Sequence, residues 1–262
     1  MEQNKYILET IDLEIGFTSK KEKKAIASGL HLNLTEGKLV TLIGENGIGK
    51  STLLRTLTGI QLPLKGKVLL YEKDLKKLNI NYLSKKISIV LTDKITASNL
   101  TVWELIALGR QPYTNWIGTL TDEDCFQINK AIELTEIGHL IHKKYIEISD
   151  GQLQKVLIAR ALAQDTPIII LDEPTTHLDL LHKVNVFRLL QKVAHETKKC
   201  ILFSTHDIDL AIQLSDEMIV MTNSNTYQDL PCNLIEQGVF EQLFNDSSII
   251  FKKQYGKFIV KQ

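Results

Sequence analysis

The spacing of hydrophobic positions changes along this chain, and the changes divide it. Ile7, Ile11, Leu13 and Ile15 alternate with Thr10, Asp12 and Glu14, and Leu30, Leu32 and Leu34 alternate in the same way. A period of two predicts half-exposed antiparallel strands. Val68–Leu70 and Ile87–Leu91 read as further strands. From about Asp93 to Ala163 the spacing turns helical. There, Thr101 and Glu104 form a capping box, with Leu100 and Leu105 placed for a hydrophobic staple. Another helix is expected from Thr121, carrying Phe126, Ala131 and Ile132 inward. After Pro167 come unbroken apolar runs, Ile168–Leu171, Ile201–Phe203 and Met218–Met221, separated by helical stretches. That is the signature of a parallel sheet covered on both faces. The expected fold class is therefore α/β: a mainly parallel sheet, an N-terminal antiparallel β subdomain and an inserted helical subdomain. Residues 1–92 and 164–262 would form the core of a single domain, and 93–163 the insertion.

Candidate chemistry sits where these runs end. Gly44-Glu45-Asn46-Gly47-Ile48-Gly49-Lys50-Ser51 fits the phosphate-binding loop G-x-x-x-x-G-K-[ST], with Thr52 following. Val40, Leu42 and Ile43 supply a buried strand before it. Leu53, Leu54 and Leu57 supply a helix after it, with Gly59 at the position of a C-cap glycine. Strand, loop and helix together are the context the motif requires. Glycines let backbone N–H groups curl around phosphate oxygens, and the helix N-terminus adds partial positive charge. Lys50 is expected to reach the β- and γ-phosphates of ATP, and the Ser51 hydroxyl to coordinate Mg²⁺.

Asp172 and Glu173 close the run Ile168–Leu171 at the carboxyl edge, where α/β sheets place their ligands. Asp172 would hold Mg²⁺, and Glu173 would polarise the water that attacks the γ-phosphorus. Ser149-Asp150-Gly151-Gln152 opens a helix whose buried face includes Val156, Ala159 and Ala163. Ser149 with Gln152 fits a capping box. The same geometry is an anion site, and capping alone gives no reason for Gly151.

Composition narrows the partners. Lysine plus arginine equal aspartate plus glutamate at 31 each, so no net field points to nucleic acid or anionic lipid. Cys125, Cys200 and Cys232 are scattered and lack metal-ligand spacing, which suits reduced thiols. No apolar run approaches the roughly 18 residues of a membrane span. Met1–Thr10 lacks the basic start and apolar stretch of a secretory signal. Any work at a membrane is expected to go through a partner.

Taken together, these motifs make the chain resemble the ATP-binding subunit of an ABC transporter over nearly its whole length. Ile148–Gln152 corresponds to the family's LSGGQ signature, which the resemblance places on ATP held by the opposite subunit. Pro174-Thr175-Thr176-His177-Leu178-Asp179 resembles the D-loop region, with Asp179 its aspartate. Ser204-Thr205-His206-Asp207 resembles the switch segment, so His206 would touch the γ-phosphate. Phe17, after Glu14-Ile15-Gly16, would stack on adenine. Leu100–Tyr113, Pro174–Asp179 and Gly238–Phe244 resemble the importer branch serving iron–siderophores, haem and cobalamin. The resemblance implies a second copy of the chain, two transmembrane permease subunits, an external substrate-binding protein and a peripheral position at the cytoplasmic face of the inner membrane.

Alternatives are a non-transport ABC-type ATPase of translation or DNA repair, or a weakly hydrolysing regulatory subunit. Two departures keep the latter open. Thr92 stands where the family has a metal-binding glutamine that relays closure to the permease, and Asp150 replaces the signature's first glycine. The segment from Asp93 to Tyr113 is expected to dock on a permease helix, with Trp103 and Tyr113 either in that contact or in the core.

Overall fold

The computed structural model describes residues 6–18, 22–91, 99–244 and 248–260. Its first sheet is antiparallel and runs in the order β2 (Lys23–Leu30), β1 (Leu8–Thr18), β5 (Lys65–Leu70), β6 (Lys73–Asp74), with β3 (Asn33–Leu34) also on β1. Alternation along β1 is broken. Asp12 adopts a left-handed backbone, φ 46°, and the register with β5 shifts between Ile11 and Glu14. A bulge of this kind moves side chains to the other face. Thr10 is therefore buried, its hydroxyl donating to the Leu30 carbonyl, and Ile11 points outward, against the simple alternation.

The second sheet has six strands in the order β11 (Thr226–Asp229), β10 (Glu217–Met221), β4 (Leu39–Gly44), β9 (Cys200–Ser204), β8 (Ile168–Leu171), β7 (Ile87–Val90). All neighbouring pairs are parallel except β10 with β11. The unbroken apolar runs follow from burial on both faces. Val40, Leu42, Ile168, Ile170 and Leu202 share one core with the antiparallel sheet and α1 (Lys50–Leu57). Leu39, Ile43, Ile169, Leu171, Ile201 and Phe203 share the other with the helices beyond.

Those helices are α3 (Val102–Ala107), α4 (Asp122–Thr135), α5 (Asp150–Ala163), α6 (Leu180–Thr197), α7 (Ile208–Leu214) and α8 (Pro231–Glu236). The short α2 (Ile80–Ser84) leads into β7, and a hairpin of β12 (Ile249–Lys252) and β13 (Lys257–Val260) ends the fold. The capping box at Thr101 is formed, and Thr121 caps α4 through Asp124. Phe126, expected inward, is exposed, and α4 instead buries Ile128, Ala131, Ile132 and Thr135. Arg110 is an internal strut: Nε donates to Asp124 at 2.8 Å and Nη1 to the Ala163 carbonyl at 2.8 Å. With both charges almost wholly buried, removing either partner would strand the other at a cost of about 3–5 kcal/mol.

Candidate functional site

Parallel pairing in the order β4, β9, β8, β7 brings four strand ends to one edge of the sheet. β4 delivers the phosphate loop, β8 delivers Asp172 and Glu173, and β9 delivers Ser204 to His206 between them. Glycine is required within the loop. Gly47 and Gly49 have φ of 79° and 111°, and a Cβ on Gly49 would lie 2.6 Å from Ile26 Cγ2 of β2. That clash shows how closely the antiparallel sheet abuts the loop. Gly49 also starts α1 with no side-chain cap, leaving the first N–H groups of α1 available to phosphate.

Lys50 is buried, with Nζ donating to the carbonyls of Gly44 at 2.9 Å and Glu45 at 3.2 Å. Burial lowers its pKa, and the nearby carboxylates of Glu173 and Asp172 oppose that by favouring the cation. Asp172 is 4% exposed. Its Oδ1 accepts from Ser204 Oγ at 2.7 Å, and Ser204 Oγ in turn accepts the Glu173 N–H at 2.8 Å. One hydroxyl therefore sets both acids. In the sequence Ser204 belongs to the switch segment, and the only local sign of this role is a lone hydroxyl ending the apolar run Cys200–Phe203.

Glu173 has a left-handed backbone, φ 50°, a strained conformation for a non-glycine residue. Its Oε2 accepts from Thr176 Oγ1 at 3.1 Å, and its Oε1 lies 2.7 Å from His206 Nε2. Because a carboxylate only accepts, that nitrogen carries the proton. Behind His206, Asp207 accepts from Thr175 Oγ1 at 2.9 Å and Lys183 Nζ at 2.6 Å. A cleft of about 430 Å³ lined by Gly44, Glu45, Asn46, Thr205, His206, Ile208 and Phe244 opens beside the loop. Phe17 is exposed at the end of β1.

Ser149 caps α5 as expected: its N–H donates to Gln152 Oε1 at 3.1 Å, and its Oγ accepts the Gln152 N–H at 3.3 Å. Ser149 and Asp150 are exposed, and none of residues 149–152 lines the cleft at the phosphate loop. Asp179 caps α6 and is also exposed. Thus Lys50, Asp172, Glu173 and His206 come together within one chain, whereas Ser149, Gly151 and Gln152 stand apart from them. Thr92 lies outside the described residues.

Residues 27–176 match the ABC transporter family. The chain belongs to that family. It is an ATP-binding, ATP-hydrolysing cassette. The chain is 34% identical over 245 residues to FhuC, the iron(3+)-hydroxamate import ATP-binding protein of Bacillus subtilis, covering 93% of this chain and 90% of FhuC. It is 34% identical over 235 residues to CbrD, the achromobactin transport ATP-binding protein of Dickeya dadantii, covering 89% and 86%. An inward-facing metal-chelate type ABC transporter superposes with a TM-score of 0.80 at 25% identity, covering 97% of this chain and 95% of that one. A dimeric bacterial ABC transporter cassette superposes at 0.73 and 26% identity, covering 86% and 98%. Among the described residues, no helix is long and apolar enough to cross a membrane.

Proposed function

We propose that two copies of this chain sandwich ATP and use its hydrolysis to drive import of a metal chelate of the iron–siderophore, haem or cobalamin type. The observation that carries this reading is the separation within one chain of a complete phosphate and acid cluster from an exposed, capped helix start at Ser149. Each half-site lacks what a second copy presents. Two permease subunits and an external substrate-binding protein complete the assembly, with this chain at the cytoplasmic face. FhuC, CbrD and the metal-chelate transporter support that cargo class over the translation and repair alternatives.

In this reading, the N–H groups at Gly47–Ser51 and the Lys50 ammonium bind the β- and γ-phosphates, and Phe17 stacks on adenine. Glu173 takes a proton from water as its oxygen bonds to the γ-phosphorus and the bond to the bridging oxygen breaks, releasing ADP and phosphate. His206 trades its bond to Glu173 for a γ-phosphate oxygen, which frees Glu173 to act as base. The donors present fit Mg²⁺. Asp172 is a nearly buried carboxylate set by Ser204 through one oxygen, Ser51 is adjacent to Lys50, and among the described residues no cluster of three or more His, Cys, Asp or Glu competes. Such sparse oxygen ligation suits an ion that retains waters and shares phosphate oxygens. When bound, it would neutralise charge on the phosphates.

A groove of about 350 Å³ is walled by Thr58, Ile60, Ile80, Leu108, Gln111, Pro112 and Arg160, and in this reading it receives a cytoplasmic helix of the permease. Trp103 packs against the helical core, and Tyr113 stacks 4.0 Å under Arg110, so neither aromatic lines the groove. A photo-crosslinker at Gln111 in the intact transporter is expected to map to a cytoplasmic helix of the permease. Crosslinks confined to this chain would count against the docking.

Asp150 is exposed at the start of α5, and its carboxylate is expected to turn away from the partner's phosphates, which would repel it by about 1 kcal/mol or more at contact distance. Asp150→Asn should therefore leave the ATP concentration for half-maximal hydrolysis unchanged. A several-fold drop would show that the carboxylate faces the nucleotide.

A further inference from the structure

Capping explains Ser149 and Gln152 but not Gly151. The structure supplies a cause within the same chain. A Cβ on Gly151 would lie 2.9 Å from Cδ2 and 3.5 Å from Nε2 of His182, in the first turn of α6. The opposite edge of that imidazole is also held. His182 Nδ1 lies 2.8 Å from Asp179 Oδ1, and the same oxygen accepts the His182 N–H at 2.9 Å. A carboxylate only accepts, so Nδ1 carries the proton. The backbone and then the ring hydrogen bond from His182 hold the Asp179 carboxyl below its usual pKa, so it stays an acceptor.

One ring thus spans two segments that lie far apart in sequence. On one edge is the backbone at the start of α5, where Ser149 waits for ATP. On the other is the aspartate that opens α6. Ser149 and Asp179 are both exposed, and neither contributes to the acid cluster of its own chain. The His182 side chain is half exposed, so its ring is held beside Gly151 by the hydrogen bond to Asp179 and by the space that the missing Gly151 side chain leaves, not by core packing.

We propose that His182 is a positioning residue that fixes the start of the signature helix against Asp179, so that both segments meet the partner's nucleotide as one unit. The inference rests on the sandwich reading and assigns it a joint within each subunit. It also gives Gly151 a second reason to lack a side chain, independent of phosphate approach.

The test uses the full chain carrying Glu173→Gln, in which ATP-bound dimers should persist. Two measurements are made: ADP binding to the monomer by calorimetry, and ATP-driven dimerisation by sedimentation. His182→Ala should leave the ADP Kd unchanged, because Lys50 and its loop lie on other elements. It should raise the protein concentration for half-dimerisation about tenfold or more, a loss of about 1.4 kcal/mol or more shared over two joints per dimer. His182→Asn, whose amide can still donate to Asp179, should recover much of that loss. Dimerisation of His182→Ala matching the Glu173→Gln parent would overturn the proposal while leaving the sandwich intact. So would an Asn variant no better than Ala, or a loss of ADP binding in His182→Ala, which would mark general unfolding. A parent that never dimerises would instead remove the sandwich reading itself.

Discussion

Glu173→Gln is expected to lower the ATP turnover number about 10²–10⁴-fold, the usual contribution of a positioned general base. The reason lies in how little else the substitution changes. Glutamine is isosteric, its carbonyl can accept from His206 or Thr176 as the carboxylate does, and the residue 173 N–H stays on Ser204 Oγ. Lys50, to which the proposed mechanism gives the phosphate contact, is untouched. Stopped-flow or steady-state assays should therefore show kcat collapsing with the ATP concentration for half-saturation unchanged or lower, as for a group that acts only in the chemical step. A variant retaining a third of the parent rate would remove Glu173 from the role of base.

Lys50→Ala should behave differently, losing affinity and turnover together. Lys50 is the cation of the loop. It is held over the Gly44 and Glu45 carbonyls before nucleotide arrives, so little reorganisation is needed for it to turn to phosphate. A preorganised donor of this kind is worth about 3 kcal/mol, or 10²-fold or more in rate, and part of that interaction exists already in the bound ground state. Calorimetry with ATP should show weakened binding alongside the kinetic loss. Normal ATP affinity with reduced kcat would mean that Lys50 contacts phosphate only in the transition state.

The local parts of this fold were readable in the sequence. The phosphate loop, the capping boxes at Thr101 and Ser149, the helix start at Thr121 and the doubly buried strands depend on neighbours within a few residues, and each appears where the pattern put it. What the sequence left hidden depends on distant segments. Thr10 is inside and Ile11 outside because Asp12 takes a left-handed conformation that no neighbouring residue announces. Phe126 is exposed because the buried stripe of α4 runs through Ile128, Ala131, Ile132 and Thr135, and position 126 falls off it. Ser204 sets Asp172 and Glu173 only because β9 lies beside β8. The same holds for Gly151, whose partner His182 reaches it from α6.

Site residues divide along the same line. Lys50 and Ser51 are fixed by their own loop. His206 reaches Glu173 through strand order, and a lone histidine after Ser204-Thr205 carried no sign of that neighbour apart from the family resemblance. Thr92, outside the described residues, has its metal role still resting on that resemblance.

The measurement that tests the account most directly is the mass of the Glu173→Gln chain in solution with saturating MgATP. Sedimentation equilibrium, or scattering coupled to size exclusion, should report twice the monomer mass with ATP and a shift toward monomer when ADP replaces it. Dimerisation should be lost when Lys50→Ala is added. A chain that remains monomeric with saturating MgATP, while calorimetry confirms that ATP is bound, would contradict the shared site built from one subunit's Lys50 loop and the other's Ser149.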